Sequence, residues 1–468
     1  MINVEGRQEW NCEGLPMHLR CFVLAASALT WVTATARADQ YLAGVGRADI
    51  TPRKPIWMAG YASRQRPSEG VDHPLQVKAL ALRDMQGHTT LLWLCADIIG
   101  FPREVSDRIA QRIGEELRVP RECIVFAASH THTGPVIAGN LIGMFDLRGQ
   151  ELATVEEYTR YLEEQCFRAA RQACSELVEV TLAYHRGEAG FAMNRRVFSA
   201  AGTQFGENPF GPVDHEVPVL RATKKDGQPL ALLFGYACHC TTLGGNYYRI
   251  SGDWAGFAQD FVERAFPGCT ALFVTGCGAD ANPAPRGTLD LARQHGLELA
   301  GAVSKACRTP GIVVAGPLRA LYAHVDLPLT RLPTRAELEE RRKHKDVFQR
   351  RFAERMLAHL DREGKLPTSY PCPVQIWKLG DRLTFIALGG EVVVDYALRL
   401  KREYAGHTLW VAGYCNDVFA YVPSARILIE GGYEADYNLV YYGLPGRFTG
   451  ETEQILVSKI RDMLGSLK

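Results

Sequence analysis

In Ala128-Ser129-His130-Thr131-His132-Thr133-Gly134-Pro135, two histidines stand two residues apart, directly after the apolar run Glu122-Cys123-Ile124-Val125-Phe126-Ala127. That β-branched run indicates a buried strand, and Gly134-Pro135 indicates the turn that ends it. On extended backbone, side chains at i and i+2 point the same way, so both imidazoles can face one cavity. A neutral imidazole is a common zinc ligand and also a proton carrier near neutral pH. Two loop histidines that cap backbone carbonyls are the alternative, and the motif alone does not decide between them.

Strand and helix patterns alternate along the rest of the chain. Strand-like runs cover 42–50, 77–82, 89–95, 180–185, 218–222, 230–236, 269–274, 374–379, 383–388 and 408–412, with a β-rich patch at 312–327. Helical spacing covers 104–117, 156–177, 289–307, 335–362 and 451–464. Asp253 is predicted to cap one further helix and Glu391 to begin another. This alternation predicts an α/β fold, a single large mixed-sheet domain flanked by helices.

Polar residues follow three of the predicted strands in the same way. The strand at 230–236 runs into His239, the strand at 383–388 runs into Glu391, and the strand before His130 opens the series. Two histidines and a carboxylate match a catalytic zinc site that keeps one position open for water. Zinc lowers the pKa of water and polarises a carbonyl oxygen, which supports hydrolysis of an amide or ester. The sequence therefore predicts a zinc site at the strand ends.

Two other segments carry residues of less certain meaning. Asn194-Arg195-Arg196 is predicted to lie in a loop before the glycine-rich stretch 200–211, where arginines are usually solvated unless they face the histidines. The turn Thr275-Gly276-Cys277-Gly278-Ala279-Asp280-Ala281-Asn282-Pro283 permits a close backbone approach to a ligand. A glycine-rich turn is weak evidence by itself.

Composition excludes some function classes. The chain has 468 residues, a net charge of +1 and 22% charged residues, so no basic surface for nucleic acid is expected. Its 13 cysteines contain no C-x-x-C pair. We expect most of them to be small buried hydrophobic residues rather than zinc ligands or a disulfide framework.

The N-terminus has the pattern of a secretory signal peptide over residues 1–38. A basic start at Met17-His18-Leu19-Arg20 leads into an apolar stretch, and Ala36-Arg37-Ala38 gives an A-x-A cleavage site. Translation from Met17 is an alternative to the given start, and an uncleaved anchor is the weaker alternative to cleavage. We expect a secreted or periplasmic protein whose mature chain, 39–468, is the catalytic domain.

The chain resembles the neutral/alkaline non-lysosomal ceramidase family over about residues 41–466. The matching blocks, in order, are Gly44-Val45-Gly46 with Ala48-Asp49-Ile50-Thr51-Pro52, His130-Thr131-His132-Thr133-Gly134-Pro135, Asn194-Arg195, His239, Gly278 to Pro283, Gly390-Glu391-Val392, Val411-Ala412-Gly413, Tyr421, and Gly432-Tyr433-Glu434. So many blocks in register are specific, although no single block is decisive.

The resemblance implies a set of site residues. The family's zinc ligands fall on His130, His239, Glu391 and Tyr421. Its surrounding catalytic residues fall on His132, Arg195 and Tyr433. We assign His132 to proton transfer, and Arg195 and Tyr433 to donating hydrogen bonds to the tetrahedral oxyanion.

The sequence departs from the family at two points. Asn282 occupies the position of a family serine needed for ceramide hydrolysis, and asparagine is not a nucleophile. We include Asn282 in the catalytic set because a zinc-water mechanism survives the change. We also expect the chain to correspond to the family's N-terminal catalytic domain only, without the β-rich C-terminal domain of full ceramidases.

These observations predict a zinc-dependent amidohydrolase that cleaves the N-acyl bond of a small-molecule or lipid substrate. The alternative is a non-catalytic zinc-containing member of the same fold that binds lipid or glycan. Peripheral membrane contact and the oligomeric state stay open.

Overall fold

The computed structural model describes residues 40–467. The predicted signal peptide, 1–38, and the alternative start at Met17 lie outside the described residues. The strands, in chain order, are β1 (Tyr41–Asp49), β2 (Gly70–Val71), β3 (Gln76–Asp84), β4 (Thr90–Ala96), β5 (Ile124–Ala128), β6 (Val178–Glu188), β7 (Ala192–Ser199), β8 (Gly202–Asn208), β9 (Glu216–Lys224), β10 (Pro229–Tyr236), β11 (Arg249–Ile250), β12 (Thr270–Thr275), β13 (Ala281–Pro283), β14 (Ile312–Val314), β15 (Leu318–Pro328), β16 (Ser369–Leu379), β17 (Leu383–Leu388), β18 (Glu391–Val392), β19 (Thr408–Ala412) and β20 (Tyr421–Val422).

The helices flank these strands. They are α1 (Arg103–Leu117), α2 (Gly149–Ser175), α3 (Asp253–Ala265), α4 (Leu289–Ala306), α5 (Arg335–Arg341), α6 (Val347–Glu363), α7 (Val394–Glu403), α8 (Ala425–Glu430), α9 (Asn438–Tyr442) and α10 (Thr452–Ser466). Within residues 40–467, none of these helices is long and apolar enough to cross a bilayer.

Nine strands form one large sheet in the order β12-β10-β9-β6-β1-β3-β4-β5, with β14 paired to β6. The pairs β10–β12 and β4–β5 are parallel, and the other neighbours are antiparallel. The sheet is therefore mixed, with helices on its faces, and the predicted α/β fold is confirmed.

Helix α2 lies very close to β1, and two glycines make this possible. A Cβ on Gly46 would lie 2.1 Å from the carbonyl oxygen of Ala169, and a Cβ on Gly44 would lie 2.2 Å from that of Ala173. Any side chain at these positions would push the helix off the sheet. The two glycines of the block Gly44-Val45-Gly46 are thus needed for the close packing of α2 on β1 and are assigned no catalytic role.

A second sheet, β15-β16-β17-β19, packs against the large one. The ring of Trp93 on β4 meets the ring of Trp377 on β16 edge to face, with centroids 4.6 Å apart. The face of the second sheet that is turned away from this contact shares a buried cluster with α7 and α10, including Tyr396, Leu456 and Ile460.

The parallel strands bring their carboxyl ends to one place. The hydroxyl of Thr275, at the end of β12, donates to the carbonyl of Ala128 at the end of β5, at 2.7 Å, so the two edge strands of the large sheet meet there. Strands β17 and β19 also run parallel, and Gly276 and Ala412 form a bridge between the two sheets. The loops after β5, β10, β12, β17 and β19 therefore share one region.

Several local predictions are wrong. The charged helix predicted over 335–362 is two helices, because the Asp346 side chain caps a new start by accepting from the Phe348 amide. Glu391 does not begin a helix but lies in the short strand β18, and α7 begins at Val394. Asp253 is the first residue of α3, with Gly252 as its N-cap.

Candidate metal centre and active site

The two histidines of the opening motif converge just beyond β5. Nε2 of His130 lies 3.1 Å from Nε2 of His132, and their rings meet edge to face. His130 has a φ of +59°, a left-handed conformation that is uncommon outside glycine. The predicted convergence is present, but a sharp turn produces it rather than extended backbone.

The other predicted ligands reach the same point from different strands. Nε2 of His239, three residues beyond β10, lies 3.1 Å from both Glu391 Oε2 and the Tyr421 hydroxyl. The same Glu391 oxygen lies 3.1 Å from His130 Nε2. Strands β18 and β20 pair in parallel with Glu391 opposite Tyr421, which sets these two side chains next to each other.

Hydrogen bonds on the far side of each ring fix the tautomers. Nδ1 of each histidine faces a backbone carbonyl: His130 at 2.6 Å from Ile99, His132 at 3.1 Å from Gly60, and His239 at 3.0 Å from Gly278. A carbonyl only accepts, so each Nδ1 carries a proton, and in the neutral ring each Nε2 keeps a lone pair. Three lone pairs and a carboxylate oxygen then face one another, an arrangement that a cation stabilises.

The donor set has the spacing that a metal site needs. The three histidine nitrogens lie within 4.8 Å of one another, so the group could hold a metal ion. Ligands at the usual zinc bond lengths in a tetrahedron are separated by roughly 3.3 Å. Three separations in the predicted ligand set are close to that value: Glu391 Oε2 lies 3.1 Å from Nε2 of His130 and of His239, and Nε2 of His239 lies 3.1 Å from the Tyr421 hydroxyl.

The protonation states agree with cation binding. Burial lowers the pKa of His239 to about 4 and that of His132 well below its ordinary value. Burial alone would raise the pKa of Glu391, but positive charge on the imidazoles of His130 and His239 beside it lowers that pKa well below its usual range, and a bound cation would supply such a charge in their place. Neutral imidazoles and an ionised carboxylate are the forms that bind a divalent cation.

Arg195 is a buried member of the site. The prediction that 194–196 is a loop is wrong, since these residues lie in β7, paired with β8 in a hairpin, and both arginines are buried. Nη2 of Arg195 donates to the Tyr421 hydroxyl at 3.0 Å, and Nε donates to Glu434 Oε1 at 2.9 Å. Glu434 also accepts from Arg196, so one carboxylate holds both guanidinium groups.

Asn282 and Tyr433 lie beside this arginine. Oδ1 of Asn282 accepts from Arg195 Nη1 at 3.3 Å and from the Thr241 hydroxyl at 3.1 Å. The Tyr433 ring meets the Tyr421 ring edge to face, with centroids 5.3 Å apart. All eight residues predicted from the sequence therefore lie in one region, although their roles are not decided by position alone.

Sequence reasoning missed two tyrosines. The hydroxyl of Tyr442 donates to Glu391 Oε1 at 2.5 Å, so it orients the carboxylate. Tyr414 packs its ring 4.5 Å from that of His130, and its buried hydroxyl has no partner within the described part of the chain. Tyr414 follows Gly413 at a strand end, as the ligands do, and this signal was available. Tyr442 lies in a tyrosine-rich segment that gave no signal for one position over another.

The cysteines do not join the site. Within residues 40–467, eleven cysteines are free and ten of them are buried. Cys238 and Cys240 flank His239, and burial raises the pKa of each thiol well above its ordinary value. They behave as the small buried hydrophobic residues that the sequence predicted.

Known proteins resemble this chain in sequence and in fold. A model of the N-terminal region of neutral/alkaline non-lysosomal ceramidases matches residues 41–281. Neutral ceramidase of Mycobacterium tuberculosis is 23% identical over 85% of this chain and 73% of its own length. Neutral ceramidase A of Dictyostelium discoideum is 23% identical over 51% of this chain, and the match spans only 34% of that relative's length.

Solved structures show the same fold. Neutral ceramidase from Pseudomonas aeruginosa superposes with a TM-score of 0.68 at 19% identity, over 89% of this chain and 72% of that one. A ceramidase complexed with C2 gives a TM-score of 0.69 at 19% identity, over 89% of this chain and 73% of that one. The family match covers more than half of the sequence, and the chain belongs to the neutral/alkaline non-lysosomal ceramidase family.

Proposed function

We propose that the protein is a zinc-dependent hydrolase that cleaves the amide bond of an N-acyl substrate, as a ceramidase does. The observation that carries this proposal is the convergence of unprotonated imidazole nitrogens on Glu391 Oε2 in a buried site. His130, His239, Glu391 and Tyr421 would hold the ion. When bound, zinc supplies Lewis-acid polarisation of the substrate carbonyl and activates water for attack.

His132 is the proposed proton acceptor. Its Nδ1 proton is committed to the Gly60 carbonyl, and its Nε2 lone pair faces the donor set. Because burial lowers the pKa of His132, the ring is neutral and free to take a proton from the attacking water. The same ring would return that proton to the departing amine.

Arg195 and Tyr433 are the proposed donors to the oxyanion. A guanidinium carries five N–H bonds, and Arg195 uses one each toward Glu434, Tyr421 and Asn282. Two N–H bonds are left for an oxygen that gains negative charge. The ion pair with Glu434 holds the group in place before substrate arrives, and such preorganisation is where electrostatic catalysis gains most.

Metal analysis and a substrate panel test the proposal together. The purified full chain should contain about one zinc per molecule and hydrolyse at least one N-acyl amide. Glu391→Gln keeps the shape but removes a charge, so we expect loss of both zinc and activity with the fold retained by circular dichroism. Zinc without turnover of any amide or ester would favour the non-catalytic alternative, and full zinc in Glu391→Gln would refute the ligand assignment.

We also propose export and contact with a lipid-like substrate. The support is the leader pattern at 36–38 and the likeness to neutral ceramidases. N-terminal sequencing of the protein from the culture medium or periplasm should begin at Asp39. A cytoplasmic protein with an intact N-terminus would refute export.

A further inference from the structure

The orientation of the Asn282 amide is fixed by its neighbours. Arginine offers only N–H donors, so the atom of Asn282 that faces Arg195 Nη1 at 3.3 Å must be the oxygen. The Thr241 hydroxyl donates to the same oxygen at 3.1 Å. The Asn282 NH2 group therefore points away from both residues.

That NH2 group is an available donor. It has no hydrogen-bond partner within residues 40–467, and it is not among the buried polar atoms that lack one, so it is open to solvent. Strand β13 holds its backbone opposite Met193 of β7, while the Ala281 carbonyl accepts from the His239 amide. Asn282 thus presents two N–H bonds on a rigid segment, and the Arg195 guanidinium connects Asn282 to Tyr421.

The segment that carries Asn282 also brings an unpaired cation to the site. Arg286 is exposed and donates to the Tyr61 hydroxyl at 3.1 Å, and the Tyr61 ring lies 5.0 Å from that of His132. Among the described residues, no carboxylate forms an ion pair with Arg286. We call Tyr61, Asn282, Arg286 and Tyr433 the rim. Each is partly or fully exposed and contacts a buried site residue, either directly or, for Arg286, through Tyr61.

A second cation without a carboxylate partner lies beneath the rim. Arg64 is 3% exposed and donates to the backbone carbonyls of Ala59 and His132 at 2.5 and 2.7 Å. No Asp or Glu within the described chain pairs with it. The rim itself contains no acidic residue, and the nearby carboxylates of Glu391 and Glu434 are already bound by their own partners. The carboxylate of Asp253 acts on Arg286 through its charge, but it is fully buried and accepts from the backbone amides of Leu243 and Trp254.

We propose that the site selects an N-acyl substrate whose amine portion carries a carboxylate, that is, an N-acyl amino acid. The proposal rests on the proposed amide hydrolase function. The Asn282 NH2 group and the Arg286 guanidinium supply hydrogen-bond donors and a positive charge. A carboxylate accepts hydrogen bonds from either group and is attracted by the charge, whereas an alcohol group gains nothing from that charge.

A matched substrate pair tests this. N-lauroylglycine and N-lauroylethanolamine share the acyl chain and the scissile amide, and they differ in a carboxylate against a hydroxyl on the amine side. We expect kcat/KM of the zinc-loaded enzyme to be about tenfold higher for the glycine conjugate, mainly because its KM is lower. A tenfold ratio corresponds to the contribution of about one charge-assisted hydrogen bond. The preference should shrink as salt is raised, because the Arg286 charge is exposed.

Variants then show which residues cause the preference for the glycine conjugate. Arg286→Gln and Asn282→Ala should each reduce the ratio of the two kcat/KM values by about three- to tenfold. Arg308→Gln removes another exposed arginine, just beyond the far end of α4, and should leave the ratio unchanged. Equal or reversed preference in the parent enzyme, or a preference that survives in both rim variants, overturns the proposal.

Failure of the wider function would look different. If neither conjugate is hydrolysed, the amide hydrolase proposal fails, and calorimetric binding to the zinc-loaded protein still decides the present question. Tighter binding of N-lauroylglycine than of N-lauroylethanolamine, lost in Arg286→Gln, supports carboxylate selection. Equal affinities overturn it.

Discussion

Replacing Tyr442 by phenylalanine tests whether the site is built around a metal. The Tyr442 hydroxyl donates to Glu391 Oε1 at 2.5 Å, while Oε2 of the same carboxylate faces His130 and His239. The bond thus holds the carboxylate with one oxygen turned toward the imidazoles. Phenylalanine removes one oxygen atom and leaves the ring packing in place.

The expected change in zinc affinity follows from the kind of hydrogen bond that is lost. A hydrogen bond to a charged group contributes about 1.5–3 kcal/mol, and each 1.4 kcal/mol is about tenfold in an equilibrium constant. A partner of a metal ligand typically changes metal affinity by about 10–100-fold. We therefore expect zinc to bind Tyr442→Phe about 10–100-fold more weakly, with activity recovered at high zinc.

Chelator competition measures the zinc Kd directly, and a second buried tyrosine supplies the control. The Tyr396 hydroxyl donates to the Pro423 carbonyl at 3.0 Å, and Tyr396 is fully buried on α7. Tyr396→Phe should lower the free energy of unfolding by about 1 kcal/mol without changing zinc affinity. If folded Tyr442→Phe binds zinc within twofold of the parent, Glu391 is not a ligand and the reasoning is refuted.

Three further predictions address packing, pH dependence and substrate. Gly46→Ala would set a Cβ 2.1 Å from the Ala169 carbonyl and should cost about 3 kcal/mol in thermal unfolding, whereas Gly406→Ala, which meets nothing within 4 Å, should be nearly neutral. Burial raises the pKa of Asp280 to about 7, so its contribution to stability is full below about pH 4 and is lost as the pH rises toward 7. Denaturant titrations at pH 5 and 7.5 should show that the free energy of unfolding falls less between these pH values in Asp280→Asn than in the parent. An equal fall in both proteins would contradict this. Asn282→Ser should gain ceramide hydrolysis if the native substrate is a different amide, and no gain in a folded, zinc-loaded variant would count against that view.

The elements that the sequence predicts well are those with many residues in a regular pattern. The runs after which His130, His239 and Glu391 stand are apolar strands of five, eight and six residues, and their burial follows from composition alone. Because polar residues recur at the ends of these strands, a shared site could be inferred before any geometry was known. The parallel pairs β4–β5, β10–β12 and β17–β19 supply the physical reason.

The wrong predictions of local structure fall on short elements. Strands β18 and β20 have two residues each, too few for any periodicity, yet their pairing sets Glu391 beside Tyr421. The turn at 342–346 contains neither glycine nor proline, so the signal for the break between α5 and α6 was limited to Asp346, a residue type that favours the N-cap. The hairpin β7–β8 contains glycines at 202 and 206, which weakened its strand pattern and suggested a loop.

The hairpin explains why Tyr421 can serve in the proposed ligand set. Burial raises the pKa of the Tyr421 hydroxyl well above its ordinary value, which opposes loss of its proton, and the Arg195 guanidinium acts in the other direction. Arg195 stands at 3.0 Å from that oxygen, and Glu434, which binds both Arg195 and Arg196, holds its guanidinium there. Strand β7 therefore contributes no ligand but supplies the fixed charge that a buried phenolate requires. In the proposed ligand set, Tyr421 thus depends on two ion pairs, those of Glu434 with Arg195 and with Arg196. A description limited to the four ligands would omit both.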